Sequence, residues 1–173
     1  MNLYHFSEDP TITRFEPRPT AIHPEQPPLV WAIAESHAPH YYLPRDCPRV
    51  ICWPDAATTL DDRARILGTT TATKVLAIER DWLRRIEDTR LYAYQLPAEP
   101  FELFDTIAGY YVSRAAVTPL AVALLDHPLE RIVAADIELR IVPSLWPLYH
   151  AVIHSTLQFS IIRMRNAGPE GEA

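Results

Sequence analysis

The sequence predicts an α+β protein built on short strands, and two observations carry that prediction. About nine runs rich in β-branched and aromatic residues are spread along the chain, whereas helical periodicity is clear in only a few places. These strand-like runs do not alternate regularly with helices, which disfavours a parallel α/β fold. We therefore expect a sheet core decorated by a few short helices.

The predicted elements can be placed in chain order. The strands are residues 2–6, 29–33, 49–53, 74–79, 91–96, 109–113, 117–125, 137–142 and 159–165. Helices are predicted over residues 60–67, 82–87 and 145–157, with Thr59, Asp81 and Ser144 as their N-caps. Gly68 ends the first helix because glycine accepts the backbone angles of a C-terminal cap.

Length and proline content define the organisation of the chain. Its 173 residues fit one domain, which we place over residues 1–167, with a disordered tail at 168–173. Prolines cluster between the first two strands, so residues 8–28 form a long, stiffened loop. A loop of that length in a compact domain is often a binding element or a lid.

Charge and hydropathy limit the classes of partner. The net charge of −6 argues against a general nucleic-acid coat. The longest apolar stretches, such as residues 120–125, are too short for a bilayer, and no secretory signal opens the chain. We expect a cytoplasmic protein without a membrane partner, in which Cys47 and Cys52 stay reduced and at least one is buried. The sequence leaves the oligomeric state open.

The first candidate site is the run Leu3-Tyr4-His5-Phe6-Ser7. Alternation on a strand puts His5 and Ser7 on one face, where imidazole and hydroxyl could bind a sugar or a phosphate. A surface-facing histidine on an edge strand is the plainer explanation. The adjacent Tyr41 and Tyr42 could stack on an aromatic ligand or could equally fill the core.

Metal and acid chemistry have weaker support. His37, His40, Cys47 and Cys52 superficially resemble a zinc set, and His150 and His154 share a helix face, but their spacings match no closed tetrahedral pattern. No metal is therefore expected. Glu138 shares a strand face with Arg140 and is a candidate acid, although a surface ion pair also explains that pattern.

The run Leu3-Tyr4-His5-x-Ser7 resembles the opening strand of the ADP-ribosyltransferase superfamily. Ile12, Phe15 and Pro17 follow in the same order, Val30-Trp31-Ala32 resembles the second core strand, and Gly109 to Ser113 resembles a late strand of the RNA 2′-phosphotransferase branch. The chain is also similar to an uncharacterised bacterial family of this length. The resemblance implies a split, mixed or antiparallel sheet with a few short helices.

The resemblance also implies a ligand and roles for residues. NAD or a related small-molecule nucleotide would be the ligand, with His5 and Ser7 at a ribose, Tyr41 or Tyr42 against nicotinamide, and Arg45 among the arginines available for phosphate. Where the superfamily has its catalytic glutamate, this chain has Ala108-Gly109-Tyr110. The reaction would then use basic residues, the domain would only bind, or an acid would come from elsewhere, such as Glu138.

Two functions therefore remain open at the level of sequence. One is an atypical transferase that moves an ADP-ribosyl or a 2′-phosphoryl group without the usual glutamate. The other is a non-catalytic module on the same fold, which binds a nucleotide or another protein. Both rest on the expectation that His5 and Tyr41 line one pocket.

Overall fold

The computed structural model describes residues 1–20 and 24–171 and confirms the α+β class. The chain forms two compact units, each with its own sheet. The first unit comprises Met1–Arg45 and Arg90–Asp126, and the second comprises Asp46–Thr89 and His127–Ala173. Neither unit is a continuous stretch of sequence, since the chain passes from one to the other at three points.

The first unit holds a six-stranded antiparallel sheet. Its strands are β1 (Leu3–Ser7), β2 (Val30–Ala34), β5 (Leu91–Leu96), β6 (Glu102–Asp105), β7 (Tyr110–Ser113) and β8 (Ala121–Leu125), in the spatial order β6-β7-β2-β1-β5-β8. A 3₁₀ helix at Glu35–Tyr41 follows β2. The strand β6 is absent from the sequence-based prediction.

One face of this sheet carries a hydrophobic cluster of the unit. The core residues Leu3, Val30, Ala32, Tyr94 and Leu96 pack there with two residues from outside the strands, Phe15 and Val117. Phe15 and Val117 exchange two backbone hydrogen bonds of 2.8 and 2.9 Å, which fasten the proline-rich loop to the sheet. Val117 therefore pairs with the loop instead of beginning β8.

The second unit holds a mixed four-stranded sheet. Its strands are β3 (Arg49–Trp53), β4 (Lys74–Glu79), β9 (Ile137–Val142) and β10 (Gln158–Ile162), in the order β10-β3-β4-β9. The pair β4–β9 is parallel and the other two pairs are antiparallel. The helices are α1 (Leu60–Asp62), continued by a π-helical turn (Arg63–Leu67), α2 (Leu83–Asp88), α3 (Pro128–Ala134) and α4 (Trp146–Ile153), with 3₁₀ turns at Arg80–Trp82 and Met164–Asn166.

The structure confirms only some of the predicted helix N-caps. Thr59 is the N-cap of α1, where its hydroxyl accepts a 3.2 Å hydrogen bond from the Asp62 amide. Asp81 does not cap, because the 3₁₀ turn already begins one residue earlier and no side chain caps α2. Ser144 accepts a hydrogen bond from the Trp146 amide, but α4 ends at residue 153, well before residue 157.

The tail is held where it was expected to be disordered. The Gly168 amide donates to the buried Glu79 carboxylate at 2.9 Å, and the Gly168 carbonyl accepts from the Trp146 indole at 2.8 Å. Glu170 contacts His150 at 2.6 Å. Residues 168 and 170 thus make defined contacts, the disorder predicted over 168–173 stays a prediction, and residues 172–173 lie outside the described part of the chain.

Candidate functional site

His5 lies where two strands of the first sheet separate. β1 and β2 pair as antiparallel strands at Leu3 with Ala34 and at Tyr4 with Ile33, and the pairing stops there. Beyond that point the His5 Nδ1 atom lies 3.1 Å from the Trp31 carbonyl oxygen. Because a carbonyl can only accept, Nδ1 carries the proton and donates. In a neutral imidazole this leaves Nε2 as a hydrogen-bond acceptor.

The surroundings of His5 favour the neutral ring. Burial lowers the pKa of His5, the bond to the Trp31 carbonyl opposes that shift, and the positive charges of Arg45 and Arg18 lower the pKa further. The charged groups that act on this imidazole are thus arginines. A neutral acceptor nitrogen beside guanidinium groups suits a ligand that brings both hydroxyl and anionic groups.

The proline-rich loop covers the same face of β1. The Phe15 ring lies against the His5 ring, with 4.7 Å between the centroids, and meets Tyr94 edge-on at 5.3 Å. The Tyr94 hydroxyl donates to the Asp9 carbonyl at 2.6 Å. Tyr94 therefore holds the loop at Asp9 and at Phe15. Residues 21–23 of this loop lie outside the described part of the chain.

Ser7 lies two residues after His5 on β1, and the two residues oppose Tyr92 and Tyr94 of β5, so their side chains share a face. Its hydroxyl oxygen accepts a 3.1 Å hydrogen bond from the Asp9 amide, which closes a tight turn at the end of the strand. The backbone amide of Arg45 donates to the Glu8 carboxylate at 3.0 Å, which ties residue 45 to the start of the same loop. His5, Ser7 and Arg45 therefore form one neighbourhood at the end of β1.

Tyr41 and Tyr42 lie on the opposite face of β1. The Tyr41 ring stacks on Phe6 at 6.5 Å between centroids with 9° between the planes, and Tyr42 meets Phe6 edge-on at 5.5 Å. The Tyr41 hydroxyl is hydrogen-bonded to the Tyr110 hydroxyl. Phe6 follows His5 directly on a strand, so the two side chains point to opposite faces.

The structure therefore does not bring His5 and Tyr41 together. The two rings pack on opposite faces of β1, and the shared pocket stays a prediction. The physical reason is the return path of the chain after β2. The 3₁₀ helix packs on the Phe6 face, whereas the proline-rich loop takes the His5 face.

Gly109 fixes the position of that 3₁₀ helix. The Gly109 carbonyl accepts from the Ala34 amide at 2.9 Å, and its backbone has a φ of 71°. A Cβ atom at this position would lie 2.6 Å from the Cγ and Nδ1 atoms of His37, a distance that forces a shift. Residues 109–113, which resemble a family strand, thus begin with a glycine that the packing against His37 requires. The spacing of residues in the sequence did not reveal this requirement.

Glu138 has a structural role in the second unit. Its carboxylate accepts from the Arg140 Nε atom at 2.7 Å, and Arg140 also donates to the carbonyls of Ile66 and Leu67 at 2.8 and 2.7 Å. Hydrogen bonds from Thr70 and Arg140 lower the pKa of Glu138. A carboxylate with a lowered pKa is a poor general acid, and this one holds the arginine that caps the π-helical turn.

The cysteines and histidines behave as ordinary side chains of the fold. Cys47 and Cys52 are both free thiols and both buried, as expected for at least one of them. His37 and His40 touch each other edge-on at 5.2 Å. Within residues 1–20 and 24–171, no group of three His, Cys, Asp or Glu side chains is placed to hold a metal ion.

The comparisons with known proteins give a family but no activity. The sequence profile described as "Family of unknown function (DUF6886)" matches residues 4–167. No curated protein and no solved structure matches the chain. Among the described helices, none is long and apolar enough to cross a membrane.

Proposed function

We propose that this chain, which belongs to a family of unknown function (DUF6886), is a nucleotide-handling transferase whose six-stranded unit binds NAD or a related nucleotide at His5. The observation that carries the proposal is the anchored imidazole at the separation of β1 and β2. Its Nε2 atom is an acceptor, and Arg45 and Arg18 supply positive charge around it.

Each part of this neighbourhood has a chemical role toward a nucleotide. The Nε2 atom accepts a hydrogen bond from a ribose hydroxyl, while guanidinium groups bind phosphate oxygens. The proline-rich loop, fastened by Phe15 and Tyr94, covers part of the imidazole. An ADP-ribosyltransferase-like fold is part of the proposal, and the separation of β1 and β2 next to His5 supports it.

The arginines favour 2′-phosphoryl transfer over ordinary ADP-ribosyl transfer. Departure of nicotinamide leaves a cationic ribose, which a carboxylate would stabilise. Glu138 already serves Arg140, and the charged groups acting on His5 are cationic. A substrate that carries its own phosphate would bring negative charge to these arginines.

A non-catalytic nucleotide-binding module is the second candidate. The engagement of Glu138 in an ion pair favours it, because a site without an acid can bind without turnover. The placement of Tyr41 on the other face points the same way, since it removes the nicotinamide platform from the His5 neighbourhood.

Titration calorimetry with NAD, combined with chromatographic detection of released nicotinamide, tests both candidates. Wild-type protein should bind, and release of nicotinamide with a 2′-phosphorylated RNA present would mark the transferase. His5→Asn keeps a donor near the position of Nδ1 but has no Nε2 atom, so it should bind at least about tenfold more weakly with an unchanged melting temperature. His5→Gln places an amide near the position of Nε2 and should retain more binding.

Two further variants complete the design. His127→Asn, at an exposed histidine of the second unit, is the matched control and should bind like wild type. Tyr41→Ala and Tyr41→Phe should also bind like wild type if the ligand lies on the His5 face. Equal binding by wild type and His5→Asn, or no binding by wild type, would contradict the proposed function.

A further inference from the structure

The edge strand β8 has an unusual surface for the end of a sheet. It pairs with β5 on one side only and ends the order β6-β7-β2-β1-β5-β8. Although Ala121–Leu124 are apolar, all four are exposed, and Leu120, Val122 and Leu124 are 65%, 49% and 51% exposed. Such an edge offers backbone donors and acceptors together with apolar side chains.

The strand also lacks the usual protection of an edge. Natural sheets discourage edge-to-edge pairing with charged side chains, prolines or bulges within the edge strand. Residues 120–125 contain no charged residue and no proline, and Pro119 and Pro128 flank the run from outside. An uncharged run between two prolines is a pairing surface of defined length.

We propose that β8 pairs antiparallel with β8 of a second copy of this chain, about a two-fold axis at Ala123. In that register Val122 lies opposite Leu124 of the other copy, and Leu124 lies opposite Val122. These side chains share one face of the sheet, because they oppose Tyr94 and Tyr92 of β5. A two-fold interface uses the same patch twice, and this run is complementary to itself.

Charge selects the antiparallel direction. Asp126 directly follows β8 and is exposed. Parallel pairing in register would bring the two Asp126 carboxylates side by side, which is destabilising. Antiparallel pairing about Ala123 puts them at opposite ends of the paired run, beside the apolar Leu120 of the other copy. The pairing would join two six-stranded sheets into one continuous sheet.

Cysteine cross-linking reports this register. Directly opposed residues of an antiparallel pair have Cα atoms about 4.5 to 5.5 Å apart, within the range of a disulfide. Ala123→Cys should therefore form a covalent dimer under mild oxidation. Ala121→Cys, on the same strand and the same face, is the matched control, since its two copies would be about 13 Å apart. The native thiols do not compete, because burial raises the pKa of Cys47 to about 12 and that of Cys52 to about 11.

Light scattering after size exclusion gives an independent readout on the protein without added cysteine. Wild type should have twice the chain mass, and Leu124→Lys should have the mass of one chain with an unchanged far-ultraviolet circular dichroism spectrum. Leu124→Lys should melt at a somewhat lower temperature, because association no longer stabilises its folded state. Val133→Lys, at an exposed valine of α3, should remain dimeric. A monomeric wild type, a dimer that survives Leu124→Lys, or equal cross-linking by the two cysteine variants would overturn the proposal.

Discussion

At the scale of single residues, the His5 imidazole couples proton binding to folding. Burial, Arg45 and Arg18 lower its pKa in the folded protein below the ordinary histidine value of about 6.5. As the pH falls through that value, the unfolded chain binds the proton first, so the unfolded state gains stability. The protein therefore loses folding stability as the pH falls. Well above pH 6.5, His5 is neutral in both states and causes no such loss.

The corresponding prediction concerns the slope of stability against pH. Urea midpoints of wild type should fall between about pH 7.5 and pH 5, in part because of His5, whereas His5→Asn removes the titrating group and should flatten the curve. The comparison is made as a difference between the two proteins, since the chain has six other histidines. Flattening of equal size in His127→Asn would show that His5 is not the source.

At the scale of elements, the C-terminal segment acts as a strap on α4. The Glu79 carboxylate accepts from the Leu145 amide at 3.2 Å, next to the first turn of α4, and from the Gly168 amide at 2.9 Å. The Glu79 side chain is buried, so each lost partner leaves part of a buried charge without compensation. Trp146 adds a second link through its indole nitrogen to the Gly168 carbonyl.

Truncation after residue 167 should therefore destabilise the protein by roughly 1–3 kcal/mol, because it removes a partner of a buried carboxylate. Truncation after residue 171 leaves both contacts of Gly168 in place and is the control. Chemical denaturation with a tryptophan fluorescence readout measures both variants. If the protein truncated after residue 167 is as stable as the full chain, the contacts of Gly168 contribute nothing to stability. Residues 168–171 would then behave as a free tail.

At the scale of the whole molecule, the local residue pattern predicted where strands occur in the sequence better than it predicted how the strands pair. The strands β3, β4, β5 and β9 lie where the apolar runs predicted them, because such runs are buried on a sheet whatever the topology. The strand β6 was missed because Glu102 and Leu103 are exposed, and the strand exists through pairing with β7. Its formation depends on a partner that a local window does not contain.

In the candidate site, too, the sequence pattern predicts some features, whereas others depend on the path of the chain. Alternation along the strand predicts that His5 and Ser7 share a face, because both lie within β1. The face reached by Tyr41 depends on how the chain leaves β2, and residues 35–41 could have packed on either side of a sheet with apolar side chains on both. The hydrogen bond from His5 to the Trp31 carbonyl carries no sequence signal, since any residue provides a carbonyl.

The division into two units makes a prediction about folding. Every strand pair of the four-stranded sheet lies within the second unit, and so does its core, which includes Val50, Val75, Leu145 and Val152. Joining residues 46–89 to 127–171 through a flexible glycine-serine linker should give a protein that unfolds cooperatively on heating, since chains of this size can bury a core of their own.

Calorimetry of the joined protein, beside a Val75→Asp version, decides whether the chain is one domain or two. The aspartate puts a charge into the centre of the core, so it should abolish the transition and show that the transition reports the native sheet. A cooperative transition that the aspartate removes would make the second unit an independent domain. Absence of a transition in the unsubstituted protein would mean that its sheet needs residues 1–45 and 90–126, and the single domain predicted over residues 1–167 would then describe the folding unit.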